Sequence, residues 1–299
     1  MPDPRSSVGH VVRGMFMGSA DVIPGVSGGT VALIFGIYER LVRSISEAAS
    51  AGFRLVRGDI PAFRERLGRV EWAFIIPLGI GIVLALGVGS RIIPGLIDAY
   101  PSQVSAVFFG LILGSLAIPF RRIGSVGATE VALIIAFAVG AFVLVGLPPR
   151  ELADPPLYVV FLSAAIAICA MILPGISGAF LLYVIGIYRP TLEAVASFDI
   201  PYVLTFVAGA AIGLALFSQL LEWLLEHRHA ATMAALTGLM AGSLRALWPW
   251  LDEDRAMLAP PDPQALAVVL VLGSIAFTFV TFIAWFAGRQ ERDRAVASS

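Results

Sequence analysis

The sequence predicts an all-α polytopic membrane protein made of two inverted-topology repeats, each a re-entrant broken-helix hairpin plus three transmembrane helices. Three observations carry this. Of the 299 residues, 58% are hydrophobic and 14% charged, with mean hydropathy +0.89, whereas a soluble domain is nearer one quarter charged. Roughly seven or eight long apolar stretches alternate with short polar ones, each close to the length a membrane span needs. Finally, Ile23-Pro24-Gly25-Val26-Ser27-Gly28 returns 150 residues later as Leu173-Pro174-Gly175-Ile176-Ser177-Gly178, and Gly36-Ile37-Tyr38 returns as Gly186-Ile187-Tyr188 at the same offset. A fixed offset at both ends of a short element signals an internal repeat.

The first half, 1–150, reads as a hairpin over about 10–38 followed by spans near 72–90, 104–120 and 131–147. The second, 151–299, reads as a hairpin over about 157–188 and spans near 201–224, 231–248 and 266–287. Further pairs keep the same order: Gly79 with Leu84-Ala85-Leu86 matches Gly209 with Leu214-Ala215-Leu216, and Gly110 and Gly114 match Gly238 and Gly242. The last four glycines have the small-xxx-small spacing of packed membrane helices. The two halves are expected to form one integrated transport domain.

The Pro-Gly breaks set the hairpins apart from the spans. A helix from Ser27 to Tyr38 would rise roughly 17 Å, about half of a hydrocarbon core. Irregular backbone at that depth is tolerated only where it lines a cavity or is buried in protein. Arginine placement supports hairpins over full spans. Arg40, Arg43, Arg54, Arg57, Arg64, Arg66 and Arg69 mark the 39–71 segment as cytoplasmic. Two hairpins then put both termini, Arg121-Arg122 and the C-terminal Arg289, Arg292 and Arg294 inside, and Asp252-Glu253-Asp254 outside. Three spans per half is an odd number, which inverts the second half. The apolar run after Arg5 and Arg13 is interrupted by Gly18, Ser19 and Asp21 before it is long enough for a cleaved signal, so the N terminus is expected to be retained.

Composition also narrows the chemistry. Net charge is −1, which gives no reason to expect nucleic acid. All 20 basic residues are arginine, so lysine chemistry is excluded. One cysteine, Cys169, and three histidines leave little from which to build a metal or haem site; no cofactor and no metal is expected.

Within each motif the serine suits a helix N-cap and the glycine admits close backbone approach. Two helix starts pointing at the bilayer centre would present unpaired NH groups and partial positive charge to an anion. The expected phosphate-binding residues are Gly25, Ser27, Gly28, Gly29, Thr30, Gly175, Ser177 and Gly178. Asp21, just before the first break, would carry a coupling proton or cation, or else cap local NH groups. Arg245 is a candidate counter-charge that could instead snorkel toward Trp248 and Trp250. Glu39, Arg40 and Arg189 follow the Gly-Ile-Tyr motifs, where they could meet head groups at opposite surfaces or anchor the interface.

The run from Ala20 through Asp21, Pro24, Gly25, Ser27, Gly28 and Gly29 to Thr30, then Gly36-Ile37-Tyr38-Glu39 and Pro174-Gly175-Ile176-Ser177-Gly178, resembles the PopT type of undecaprenyl-phosphate translocases over essentially the whole chain. The second motif departs from the first, with Ala179-Phe180 in place of Gly29-Thr30. The resemblance implies a flippase of the bacterial cytoplasmic (inner) membrane that returns undecaprenyl phosphate from the outer to the inner leaflet for cell-wall precursor synthesis. Its partners would be the polyprenyl-phosphate lipid and the bilayer, with proton or sodium coupling and a homodimer as open alternatives. The residues alone reach an inverted-repeat transporter of an anion. A secondary transporter of a small soluble anion and an integral-membrane lipid phosphatase are the rivals, the latter disfavoured because no nucleophile and base pair stands out.

Overall fold

The computed structural model describes residues 4–22, 27–148 and 150–297. Among them all regular structure is helical apart from one isolated bridge, Leu251 to Met257. The first half runs α1 (Pro4–Asp21), α2 (Gly28–Ile34), α3 (Tyr38–Val56), α4 (Ile60–Arg69), α5 (Trp72–Ala99), α6 (Pro101–Ser115), α7 (Ala117–Arg122) and α8 (Ala128–Leu144). The second runs α9 (Leu157–Ile172), α10 (Gly178–Ile185), α11 (Tyr188–Ala196), α12 (Ile200–His227), α13 (His229–Ser243), a 3₁₀ turn (Leu244–Leu247) and α14 (Pro263–Ala297). Without α4, the element order of the second half repeats that of the first.

Packing repeats as well. α1 lies along α5 and α9 along α12, while α8 lies along α13 and α14 along α6, so the last helix of each half packs on the other half. Glycines bring these pairs together. A Cβ on Gly110 would fall on the Gly273 carbonyl, one on Gly242 on the Ala138 carbonyl, and one on Gly238 on the Ile134 carbonyl. Helix packing is therefore their role. The structure shifts one expected pairing: Gly81 meets the Val11 carbonyl as Gly209 meets that of Phe161, whereas Gly79 faces open space. Register is set by which glycine touches the neighbouring helix; within the Leu-Ala-Leu run it is Ala85 that faces α1, at Gly18.

Among the described residues, five helical segments are long and apolar enough to cross a membrane: 72–89, 101–122, 200–227, 229–247 and 263–283. The sixth expected span, near 131–147, is the 17-residue α8, whose rise of roughly 25 Å falls short of the hydrocarbon core. α10 and α11 bend by 102° at their junction, as a re-entrant or broken span does. The half-helices are shorter than expected. α2 has 7 residues and α10 has 8, because Gly36 (φ 67°) and Gly186 (φ 101°) turn left-handed and end them. The Ile37 and Ile187 amides then close on Ala32 and Leu182, 150 residues apart in both donor and acceptor. The 39–71 segment is not an open loop but two helices, tied by Arg66 to Glu47 at 3.0 Å and by Arg40 to Glu71 at 2.7 Å.

Candidate functional site

The start of α2 meets the second break. Ser27 opens α2 from an extended backbone and its Oγ accepts from the Gly29 amide at 3.1 Å. The same hydroxyl donates to the Leu173 carbonyl of the second break at 3.2 Å. In return, the Gly175 amide donates to Thr30 Oγ1 at 2.9 Å. Close approach is what the glycines allow. A Cβ at Gly29 would stand 2.7 Å from the Ile172 carbonyl oxygen, and one at Gly175, whose φ is +90°, would stand 2.8 Å from Met240 Cα. Ser27 and Thr30 are each 1% exposed, so the start of α2 is buried in this conformation.

Thr30 is therefore a polar staple between the halves. Thr30→Val keeps the shape and leaves the Gly175 amide without its acceptor, which is expected to cost about 1–3 kcal/mol. A thermal or denaturant melt of the purified variant checks this, with Thr30→Ser as the control that keeps the bond.

Asp21 takes the place that sequence reasoning left open for an anion. Its Oδ1 accepts from the Gly28 amide at 2.7 Å, so a carboxylate already sits at the start of α2. At the second break Ser177 caps α10 through the Phe180 amide at 3.4 Å. Gly178 is buried, and a Cβ there would fall on the Ala167 carbonyl. Gly25 lies outside the described residues.

Asp21 and Ser177 share a cavity of about 530 Å³ with Val22, Ala179, Phe180, Tyr183, Tyr188 and Arg255. It holds one carboxylate, one guanidinium and three hydroxyls, which is the chemistry of an anion site that also contains a proton or cation acceptor. Tyr188 lines it, whereas Tyr38, its counterpart in the first half, is 1% exposed with a hydroxyl that has no partner among the described residues. A second cavity of about 350 Å³, between α6 and α14 beside Trp248 and Trp250, is lined by no ionisable group.

Residues 17–262 match the model of a family described as undecaprenyl phosphate translocase-like. The chain belongs to that family. It is 37% identical over 290 residues, covering 89% of this chain and 92% of the relative, to the polyprenyl-phosphate transporter of Vibrio cholerae serotype O1. It is 28% identical over 265 residues, covering 83% and 88%, to the polyprenyl-phosphate transporter of Staphylococcus aureus. No solved structure matches it significantly.

On this translocase-like chain the remaining expected residues lie away from the cavity between the breaks. Glu39 accepts from Arg122 at 3.1 Å, and Arg40, paired with Glu71, lies 4.1 Å over the Phe74 ring. Arg189 pairs with Glu151 at 3.1 Å and, with Arg150, Tyr183 and Tyr188, lines a smaller cavity of about 160 Å³. Arg245 does not line the central cavity. Its Nη1 donates to the Phe142 carbonyl and its Nη2 to the Arg255 carbonyl, both at 3.2 Å. The charge that does reach the cavity is Arg255, which sequence reasoning missed. It lies in the acidic 252–262 loop, and only its place beyond the Trp-Pro-Trp run could have singled it out.

Proposed function

We propose that this protein is a flippase that returns undecaprenyl phosphate, or a closely related polyprenyl phosphate, from the outer to the inner leaflet of the bacterial cytoplasmic membrane, so that the carrier can serve cell-wall precursor synthesis again. The observation that carries this reading is the cavity where the capped start of α10, Asp21 and a guanidinium converge. The names of its relatives, both polyprenyl-phosphate transporters, agree with it. The phosphate is held by the NH groups and hydroxyls around 25–30 and 175–179, with Ser27, Thr30 and Ser177 adding hydrogen bonds, while the prenyl tail stays in lipid. Because Ser27 and Thr30 are buried and Ser177 lines the cavity, this conformation is one end of an alternating cycle, and the first break is exposed at the other.

The architecture behind that cycle is two halves, 1–150 and 151–299, of inverted topology, with both termini cytoplasmic. The repeated packing of α1 on α5 and of α9 on α12 supports it. Thiol labelling of a cysteine introduced at position 295 is expected only from the cytoplasmic side; labelling from outside alone would overturn the inverted topology.

Binding in detergent separates this reading from its rivals. Polyprenyl phosphate is expected to bind, and both polyprenol and inorganic phosphate to bind far more weakly. Ser27→Ala and Ser177→Ala are each expected to weaken binding by about 1 kcal/mol, on the order of fivefold, because each removes a cap and a hydrogen bond. Inorganic phosphate binding as tightly as the lipid would favour a soluble-anion transporter, and release of polyprenol would favour a phosphatase.

A further inference from the structure

The loop between the 3₁₀ turn and α14 is built more tightly than a connection needs. The Leu258 amide donates to the Trp250 carbonyl at 2.8 Å, the Asp252 amide to the Ala256 carbonyl at 3.1 Å, and the Ala256 amide back to Asp252 Oδ1 at 2.6 Å. At its tip Arg255 is held at φ +63°, a conformation that non-glycine residues adopt at a cost and that proteins keep where it positions something.

What it positions is a guanidinium. Arg255 Nε donates to the Val145 carbonyl at 2.7 Å, and its Cζ stands 4.6 Å over the Phe180 ring. Phe180 is the residue whose amide Ser177 caps. The Arg255 carbonyl is gripped in turn by Arg245, whose guanidinium sits where a Cβ on Gly146 would clash. Two guanidinium groups thus lie together, and among the described residues neither has a carboxylate within 4.0 Å. Burial and the neighbouring charge of Arg245 both disfavour the charge on Arg255. An anion in the cavity would relieve both, and the two terminal nitrogens of Arg255 make no hydrogen bond among the described residues. They are free for the bidentate fork that phosphate accepts.

We propose that Arg255 receives the phosphate head group in this conformation and that Arg245 is its positioning residue, holding the loop by its backbone. This rests on the lipid-phosphate reading above and adds to it the residue that supplies the counter-charge. Asp21 lines the same cavity but forms no ion pair with Arg255, and its Oδ1 accepts from the Gly28 amide.

The test is polyprenyl-phosphate binding to purified protein in detergent, measured at two salt concentrations. Arg255→Gln is expected to lose about ten- to hundredfold in affinity and most of the salt dependence. Arg255→Lys should fall between, since it keeps the charge without the fork. Arg245→Gln should weaken binding less and preserve the salt dependence, because Arg255 is still present. To separate charge from packing, Arg255→Cys in a Cys169→Ala background is treated with a cationic and with a neutral thiol reagent of similar size. Restoration by the cationic adduct alone supports the proposal; equal restoration by both assigns Arg255 to packing and overturns it. Wild-type affinity in Arg255→Gln overturns it too, leaving the lipid-phosphate reading intact. Failure of the wild type to bind polyprenyl phosphate overturns that reading and the proposal together.

Discussion

Asp21→Asn is expected to leave the protein folded and to abolish or uncouple transport. Asparagine keeps an oxygen where Asp21 accepts from the Gly28 amide, so the start of α2 stays capped and only the charge is lost. A carboxylate facing the same cavity as a phosphate repels it unless a proton or a bound cation offsets the repulsion. That requirement ties loading of the site to loading of Asp21. In reconstituted vesicles, flipping by the wild type should depend on pH or on an imposed proton gradient, and the variant should lose that dependence. A variant that transports at the wild-type rate with the same pH profile would reduce Asp21 to a structural cap.

The second large effect is on stability. Gly242→Leu puts a Cβ onto the Ala138 carbonyl and 2.8 Å from Ala141 Cβ, so α13 and α8 must move apart along their whole contact. The expected cost is on the order of 3 kcal/mol, visible as a large fall in melting temperature and in the yield of monodisperse protein. Gly140→Leu is the matched control on α8, since a Cβ there meets nothing within 4 Å. Equal behaviour of the two variants would mean that the close approach at Gly242 contributes little to packing.

The legible parts of this molecule were those written as local pattern. Pro-Gly-x-Ser-Gly at a 150-residue offset announced two broken elements, their serine caps and the close approach that the glycines permit. Apolar runs announced the spans. Two errors of length came from the same source: Gly36 and Gly186 end the half-helices by turning left-handed, and a glycine preceding Ile-Tyr was read as helix interior. In 39–71 the arginines dominate the pattern and give its side of the membrane but not its helices, whose ion pairs to Glu47 and Glu71 appear only in the fold. The site was less legible, for a physical reason. Thr30 meeting Gly175 follows from how the two halves dock, not from spacing along the chain, whereas Asp21 at the Gly28 amide is the local cap that the sequence offers as one of two readings. Arg255 and not Arg245 lines the cavity, because a backbone carbonyl and an aromatic face decide which guanidinium reaches it.

The central claim is that the protein moves a polyprenyl phosphate between leaflets, and accessibility of the head group tests it most directly. Vesicles carrying labelled undecaprenyl phosphate in both leaflets, with and without the protein, are exposed to a soluble phosphatase that cannot enter them. With the protein, nearly all of the lipid should be hydrolysed as inner-leaflet molecules are brought out, whereas protein-free vesicles should stop near the outer-leaflet share. Hydrolysis that stops at the same share in both, from protein shown to be folded and inserted, would contradict the account.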